Sequence, residues 1–404
     1  MKTKMFFPVV AMALALFGFS SCWTQHGQNV TINRTVLLYI AGDNSLDDYA
    51  YNNIKAITES IGNPDNYGAR LVAYVDRLGR RPFLAEIHRN SVDTLKVYPE
   101  EFSSDPTTLA NVINEVATTW PSERYGLVLW SHGTGWVPTD LLNTVAFNMG
   151  YVRGADGRIP EGAVWEPSGE TKAFGYESDS SSKNGYICMD IEDLAAAIPD
   201  NMFDFLIFDA CYMGGVEIAY ALKDKAKQIV SSAYEIVGDG FPYQSLTQFI
   251  LKGDMLTVCE DFYNFYNSQT GWKQMGGVSL VNTAYLDSLA LAFSNCIKGH
   301  EEDIRNFNLI DIQRFDRFRY HVMFDMKEFV EKVCTDEKLL EEFNRQLDNC
   351  IPYARSTKYM FKGELAQLQI NHYCGLSMFI PVKGYDGKIN DAYRKTLWSQ
   401  KTGF

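Results

Sequence analysis

The chain of 404 residues is short of positive charge. It has 37 Lys and Arg against 50 Asp and Glu, a formal net charge of −13 and a sequence pI of about 5.0. Binding to nucleic acid needs a basic surface that neutralises phosphates, so this balance argues against a nucleic-acid partner. An acidic surface favours solubility and attracts basic substrates. The 46% hydrophobic and 22% charged content is typical of an ordinary globular protein.

Metal-binding patterns are also missing from the sequence. None of the eight cysteines are spaced as CxxC, and four scattered histidines (His88, His300, His321 and His372) form no metal-type cluster with them. We therefore expect no structural zinc site. Seven cysteines remain after the first, and an odd number leaves at least one thiol free in any monomeric pairing scheme. These seven are Cys188, Cys211, Cys259, Cys296, Cys334, Cys350 and Cys374.

The N-terminal segment MKTKMFFPVVAMALALFGFSSC has a Lys-containing start, an apolar stretch and a small-residue site, which is the pattern of a secretory signal. It is short and interrupted by Pro8, and no later segment is apolar enough to span a membrane. Phe19–Cys22 resembles a bacterial lipobox with Phe in the usual leucine position. The pattern predicts that residues 1–21 are removed, that Cys22 carries lipid, and that the protein is anchored in the cell envelope, in the periplasm or outer membrane. Ordinary signal cleavage near Ser20 is the alternative.

After a polar tether at residues 22–34, strand patterns alternate with helical ones. The strand patterns are VLLYIAG, ARLVAYVD, YGLVLWSHG, MFDFLIFDAC, KQIVSSAY and GGVSLVNT, with a hairpin pattern FLAEIHR and DTLKVYP after the second. Strands separated by helices predict an α/β fold with a mostly parallel central sheet and helices on both faces. One long helix is expected near Leu246–Tyr266. Beyond Thr283 the sequence predicts mainly helices, with a late strand CGLSMFIPV.

These patterns suggest a division of the chain into two parts. We expect a main domain over residues 35–285 and a mainly helical C-terminal subdomain over residues 286–404. Within the first, the Gly-, Pro- and Ser-rich insert 137–185 is too long for a routine connection. It is therefore interpreted as a lid, a regulatory loop or a disordered segment.

A histidine and a cysteine each follow one of the predicted strands directly. His132 ends YGLVLWSHG, and Cys211 ends FDFLIFDAC. Chemistry collects beyond the carboxyl ends of parallel strands, so thiol and imidazole would meet if these strands are neighbours. Cys–His nucleophilic catalysis needs both groups and an N–H donor for the oxyanion, which Gly133 can provide. Gly214 and Gly215 predict a tight turn into a helix, whose N-terminus would lower the pKa of the thiol.

Each residue alone has a simpler interpretation. A cysteine after an apolar strand is usually a small buried hydrophobic residue, and a histidine at a strand end is usually a hydrogen-bonded structural residue. The two residues together, each followed by glycine, favour catalysis.

The pair SHGTGW and FDACYMGG resembles the clostripain family of cysteine peptidases, within the caspase-like clan. The stretches YIAGDNSL, SSAYEIVGDGFPY and CGLSMFIP resemble further segments of that family. The resemblance extends from about Val36 to Pro381. It implies a caspase-like fold, peptide-bond hydrolysis by a dyad of His132 and Cys211, and Gly133 as an oxyanion donor. It also implies cleavage after arginine or lysine in protein or peptide substrates.

Two carboxylates fit that basic specificity. Asp209 stands two positions before Cys211, so strand alternation points both side chains the same way. Asp239, in VGDGFPY, matches the second acidic position of the family's specificity pocket. Paired carboxylates in one site suit a guanidinium group. The alternatives are a helix-capping carboxylate for Asp209 and a turn residue for Asp239.

Two features of the family, self-cleavage and calcium binding, have no matching sequence pattern in this chain. Family members often cut themselves between the histidine and the cysteine, but none of the basic residues in this interval aligns with such a site: Arg153, Arg158, Lys172 and Lys183. Some members bind calcium, so calcium is the one cofactor that the resemblance suggests, although the sequence contains no spaced calcium loop.

The residues are compatible with three functions. The first is a secreted, lipid-anchored, monomeric cysteine endopeptidase. The second is a surface lipoprotein that uses the same fold as a non-catalytic binding module with an inert Cys211, and the intact dyad and glycine turns weigh against it. The third is an esterase or amidase with the same dyad, which would leave Asp209 and Asp239 unexplained.

Overall fold

The fold is that of a computed structural model, which describes residues 32–141, 174–178, 186–318, 320–364, 367–385 and 387–404. The signal segment, Cys22 and most of the tether lie outside these ranges, as do the four basic residues of the insert. The strands are β1 (Arg34–Gly42), β2 (Ala69–Arg77), β3 (Arg80–His88), β4 (Ser91–Val97), β5 (Arg124–Trp130), β6 (Phe174–Ser178), β7 (Tyr186–Met189), β8 (Phe203–Asp209), β9 (Ala226–Ser231), β10 (Gly277–Asn282), β11 (Phe324–Asp325), β12 (Tyr353–Ser356), β13 (Tyr359–Met360), β14 (Leu368–Gln369) and β15 (Ser377–Met378).

The helices follow the strands in the alternation that the sequence predicts. They are α1 (Asp47–Ser60), α2 (Pro106–Thr119), α3 (Ile191–Ala197), α4 (Val216–Ala221), α5 (Tyr243–Lys252), α6 (Met255–Ser268), α7 (Leu286–Ile297), α8 (Glu301–Arg305), α9 (Met326–Val333), α10 (Glu337–Cys350), α11 (Gly387–Tyr393) and α12 (Leu397–Thr402). Short 3₁₀ turns lie at Pro64–Tyr67, Thr139–Leu141, Gly271–Lys273, Thr283–Tyr285 and Leu309–Asp311.

Nine strands form the central sheet, in the order β12-β10-β9-β8-β5-β1-β2-β3-β4. The five central strands are parallel, and the hairpin β3-β4 and the strands β10 and β12 add antiparallel pairs at the two edges. All nine residues of β1 are buried, which explains why its sequence is almost entirely apolar: helices cover both faces of the sheet centre. The predicted fold class is confirmed.

Local sequence signals explain where several helices begin and end. Asp105 caps α2 by accepting the N–H of Thr107, and Pro106 occupies the first helical position. The single helix expected near Leu246–Tyr266 is instead two helices. Gly253 ends α5 in the left-handed conformation with φ of 73°, and the Asp254 side chain caps α6. The expectation of one helix was wrong because Gly253 terminates α5 and Asp254 caps the start of α6.

The C-terminal part of the chain is built against the rest. Thr31–Phe404 form one compact unit, β12 extends the central sheet beyond β10, and α10 packs on α7. The expected late strand CGLSMFIPV is reduced to the two residues of β15, which pair with β11 outside the central sheet. The boundary at residue 285 stays a prediction. No helix in the described ranges is long and apolar enough to cross a membrane.

Candidate active site

The site lies where the central strands β5 and β8 end. These strands are parallel neighbours, Trp130 pairs with Asp209, and the N–H of Ser131 donates to the Asp209 carbonyl at 3.3 Å. His132 and Cys211 each follow that paired position by two residues. The condition that these two strands are neighbours is met, and it brings the imidazole and the thiol to one edge of the sheet.

The loop after β1 holds the imidazole of His132. The hydroxyl of Ser45 is 3.0 Å from Nε2 of His132. Asn44 fixes this loop, since its Nδ2 donates to the carbonyls of Ala41 at 3.1 Å and Tyr176 at 3.0 Å. Sequence reasoning missed Ser45 as a partner of His132, because Asn44 and Ser45 look like caps of the helix that follows.

The thiol of Cys211 is partly buried and engaged with the backbone of Ile236. Its Sγ accepts the Ile236 N–H at 3.3 Å and lies 3.5 Å from the Ile236 carbonyl, to which it donates. Burial raises the pKa of Cys211 to about 12, the charge of Glu235 raises it further, and the Ile236 N–H opposes both. The lowered pKa that we expected from a helix N-terminus is not found. Helix α4 begins only at Val216 and is six residues long, and a helix dipole acts only within its first turn.

Two glycines are required by close approaches at this edge. A Cβ on Gly133 would lie 2.5 Å from the carbonyl oxygen of Cys211, and a Cβ on Gly214 would lie 2.6 Å from the backbone nitrogen of Ala233. No side chain fits at either place without moving backbone. The glycines after the histidine and the cysteine therefore let the two turns pack together.

Asp209 lies beneath the loop that leads into α5. Its carboxylate is buried and accepts the N–H of Phe241 at 3.0 Å and the hydroxyl of Tyr243 at 2.9 Å. Burial raises the pKa of Asp209 to about 6, and these two donors oppose the rise. These contacts do not cap α5, because its N-cap is Pro242, the Phe241 N–H lies before the helix, and Tyr243 donates through its side-chain hydroxyl.

Asp239 lies at the outer end of the same loop. Its carboxylate is half-exposed and accepts Lys273 Nζ at 2.8 Å, while its carbonyl accepts the side-chain N–H of Asn53 at 3.1 Å. The structure therefore places Asp209 at the end of β8 and Asp239 on the loop before α5, each with its own partners. A shared specificity pocket for these two residues stays a prediction.

One described segment of the insert, strand β6, lies against the histidine turn. Phe174, in β6, forms a β-bridge with Gly133, and the N–H of Gly175 donates to the His132 carbonyl at 3.1 Å. Further along β6, Glu177 is buried and accepts the Ser103 hydroxyl at 2.7 Å and the Ser104 N–H at 2.6 Å. The insert thus contacts the site at its C-terminal end.

The described part of the chain adds neither a disulfide nor a metal-type cluster to the site. The seven cysteines in the described ranges are all free thiols. No group of three or more His, Cys, Asp or Glu side chains in the same ranges is arranged to hold a metal ion.

A mostly parallel sheet with helices on both faces, and a histidine and a cysteine after neighbouring central strands, define the caspase-like class of proteins. The chain belongs to the clostripain family, whose model matches residues 38–151 and 161–378.

Individual relatives agree with this assignment. Clostripain from Hathewaya histolytica is 23% identical over 281 residues, which cover 60% of this chain and 48% of clostripain, so the chain spans about half the length of that relative. A crystal structure of an inactive zymogen C11 protease from Parabacteroides distasonis is 28% identical with a TM-score of 0.75, and the match covers 92% of this chain and 98% of that one. The secreted C11 cysteine protease iotapain from Bacteroides thetaiotaomicron is 25% identical with a TM-score of 0.74, covering 92% and 99%.

Proposed function

We propose that the protein is a secreted, lipid-anchored cysteine endopeptidase that cleaves peptide bonds after arginine or lysine. The observation that carries this proposal is the placement of His132 and Cys211 two residues beyond the paired Trp130 and Asp209 on adjacent parallel strands. Membership of the clostripain family and the likeness to C11 proteases support it.

The chemistry follows from the three groups at this edge. The Cys211 sulfur attacks the substrate carbonyl carbon, and the N–H of Gly133 stabilises the oxyanion. His132 takes the thiol proton and gives it to the leaving amine, and water then hydrolyses the acyl-enzyme. Asp209, with Asp239, supplies negative charge for the P1 side chain.

A panel of fluorogenic peptides that differ only at P1 tests the proposal. We expect turnover with arginine and lysine, and very little with neutral P1 residues, because a carboxylate pocket pairs with a cation. Arginine is expected to be cleaved at least as well as lysine, since its planar group can bond a carboxylate through two N–H donors. No turnover of any peptide by the purified, processed protein would favour the non-catalytic binding module instead.

The lipid anchor is tested by Cys22→Ala. We expect this variant to move from the membrane to the soluble fraction or to fail to mature, because the lipobox cysteine is the residue that would carry the lipid. Cell fractionation and mass spectrometry of the mature N-terminus measure this. An unlipidated wild-type protein that starts elsewhere than Cys22 would contradict the anchor and leave the peptidase proposal intact.

Cleavage within the insert is expected to raise activity. β6 forms a bridge with Gly133, so a cut after Arg153, Arg158 or Lys172 would free the strand from the chain before it, and a cut after Lys183 would free it from the chain after it. The Cys211→Ala protein should stay uncut, and N-terminal sequencing of the fragments identifies the bond. Full activity from the uncut wild-type chain would show that the insert is a permanent part of the enzyme.

A further inference from the structure

An ion pair between a buried carboxylate and a partly exposed guanidinium lies next to the residue that contacts the nucleophile. Glu235 is the residue before Ile236, whose backbone holds the Cys211 thiol, and only 7% of its surface is exposed. Arg317 binds the Glu235 carboxylate through two parallel bonds, Nε to Oε1 at 2.8 Å and Nη2 to Oε2 at 2.9 Å. This paired geometry gives both strength and a fixed orientation.

The same carboxylate fixes the residue after the nucleophile. The hydroxyl of Tyr212 donates to Oε1 of Glu235. Tyr212 has φ of 63°, in the left-handed region that side chains other than glycine rarely adopt. Its N–H donates to the Tyr234 carbonyl at 3.1 Å, and its ring packs on Phe318 at 5.3 Å. Glu235 therefore connects the strained turn at Tyr212 to the loop after β9, where Ile236 contacts the thiol.

The segment that supplies Arg317 is itself rigid. Asp316 is fully buried and accepts the N–H groups of Phe318 at 3.0 Å and of Val322 at 2.9 Å. The guanidinium of Arg317 stacks over the ring of Phe361 at 4.1 Å. Arg317 is therefore held in place before it meets Glu235.

We propose that Glu235 and Arg317 are positioning residues for Cys211. Glu235 fixes the turn that carries the thiol, and Arg317 neutralises the carboxylate that would otherwise oppose formation of the thiolate. This inference rests on the proposed function, in which Cys211 is the nucleophile, and it gives the C-terminal part of the chain a role in the active site.

The charges that face the thiol support this division of roles. Burial has the largest effect on the pKa of Cys211, the Glu235 and Asp209 carboxylates raise that pKa further, and Arg317 lowers it. His132 reaches the same edge from β5. Burial alone would lower the pKa of Arg317, but Glu235 more than offsets this and holds it above its ordinary value, so Arg317 stays cationic.

Alkylation of Cys211 by iodoacetamide, followed by peptide mapping, measures its thiolate content. The variants are Glu235→Gln, which keeps an acceptor for Tyr212, Arg317→Met, which keeps an unbranched apolar stem without the guanidinium, and the double variant. We expect faster labelling in Glu235→Gln at every pH between about 6 and 9 and slower labelling in Arg317→Met, because thiolate content changes about tenfold for each unit of pKa. The double variant should lie between them. Cys188, which contacts Thr139 at 3.0 Å, serves as the internal reference.

The two single variants are expected to change the labelling rate in opposite directions, which distinguishes an effect of charge from structural damage. If both single variants slow the labelling of Cys211 alike, or if neither changes it, the proposal is overturned. Should Arg317→Met fail to fold in thermal unfolding, Arg317→Lys replaces it. That variant keeps the charge and loses the paired bonds, so we expect labelling within about threefold of wild type, and labelling slowed by about tenfold or more would contradict us.

The assay also separates this inference from the proposed function, because alkylation needs no peptide turnover. Opposite shifts in a protein that cleaves no peptide would leave the positioning role standing and remove the peptidase. Turnover of arginine peptides, with labelling rates unchanged in the variants, would support the peptidase and overturn the positioning role.

Discussion

His132→Ala is expected to abolish turnover of every peptide, whatever its P1 residue. Removal of the imidazole removes proton transfer from the attacking thiol and to the leaving amine, which is worth about 10²–10⁴-fold in rate. The effect should fall on kcat, since His132 does not contact the P1 side chain in the proposed mechanism. Steady-state kinetics with arginine and lysine substrates measure it.

Two further variants make this result interpretable. Cys211→Ala combined with His132→Ala should be no slower than either single variant, because residues that act as a unit show non-additive losses. His88→Ala removes another imidazole, which faces Asp93 at 3.5 Å on the β3-β4 hairpin, and should keep full activity. Turnover by His132→Ala at more than about a tenth of the wild-type rate would remove His132 from the dyad.

Asp209→Asn is expected to lower kcat/KM for arginine substrates by about 10²-fold or more, because a buried cation without its partner charge costs several kcal/mol. Labelling of Cys211 should change far less, since the thiol itself is untouched. The amide oxygen can still accept from Phe241 or Tyr243, so we expect the variant to fold. Asp224→Asn, which changes an exposed carboxylate, is the matched control.

The pH dependence of cleavage of the same substrates provides a second test of the role of Asp209. Its raised pKa of about 6 means that the carboxylate is charged above that pH and neutral below it. Arginine cleavage should therefore fall as pH drops through about 6, and Asp209→Asn should lack this step. Folding stability depends on pH in the opposite direction. The folded protein binds the Asp209 proton more tightly than the unfolded chain does, so the stability that this group contributes is lost as pH rises through about 6. An unchanged arginine preference in Asp209→Asn would refute the pocket and leave the dyad in place.

The sequence predicted the positions of His132 and Cys211 well, because neighbouring parallel strands end at one edge and each residue directly follows a strong strand pattern. It could not predict the partners that reach them from afar. Ser45 lies 87 residues before His132, and Arg317 lies 82 residues after Glu235. Such contacts depend on tertiary packing, which no local pattern encodes. The prediction of a lowered pKa for the Cys211 thiol was wrong for the same reason. Burial and the charge of Glu235 raise that pKa, and helix α4 begins too far along the chain to lower it.

The turn after Cys211 also bears on the order in which the chain is made. The N–H of Ser377 donates to the Gly214 carbonyl at 2.9 Å, and Glu217, in α4, accepts the Phe379 N–H at 2.7 Å. Domains fold from the N-terminus as a chain is synthesised. A nascent chain therefore contains His132 and Cys211 long before it contains the residues that complete the turn between Cys211 and α4. The turn between Cys211 and α4 can therefore make all of its native hydrogen bonds only once residues about 160 positions further along the chain have been synthesised.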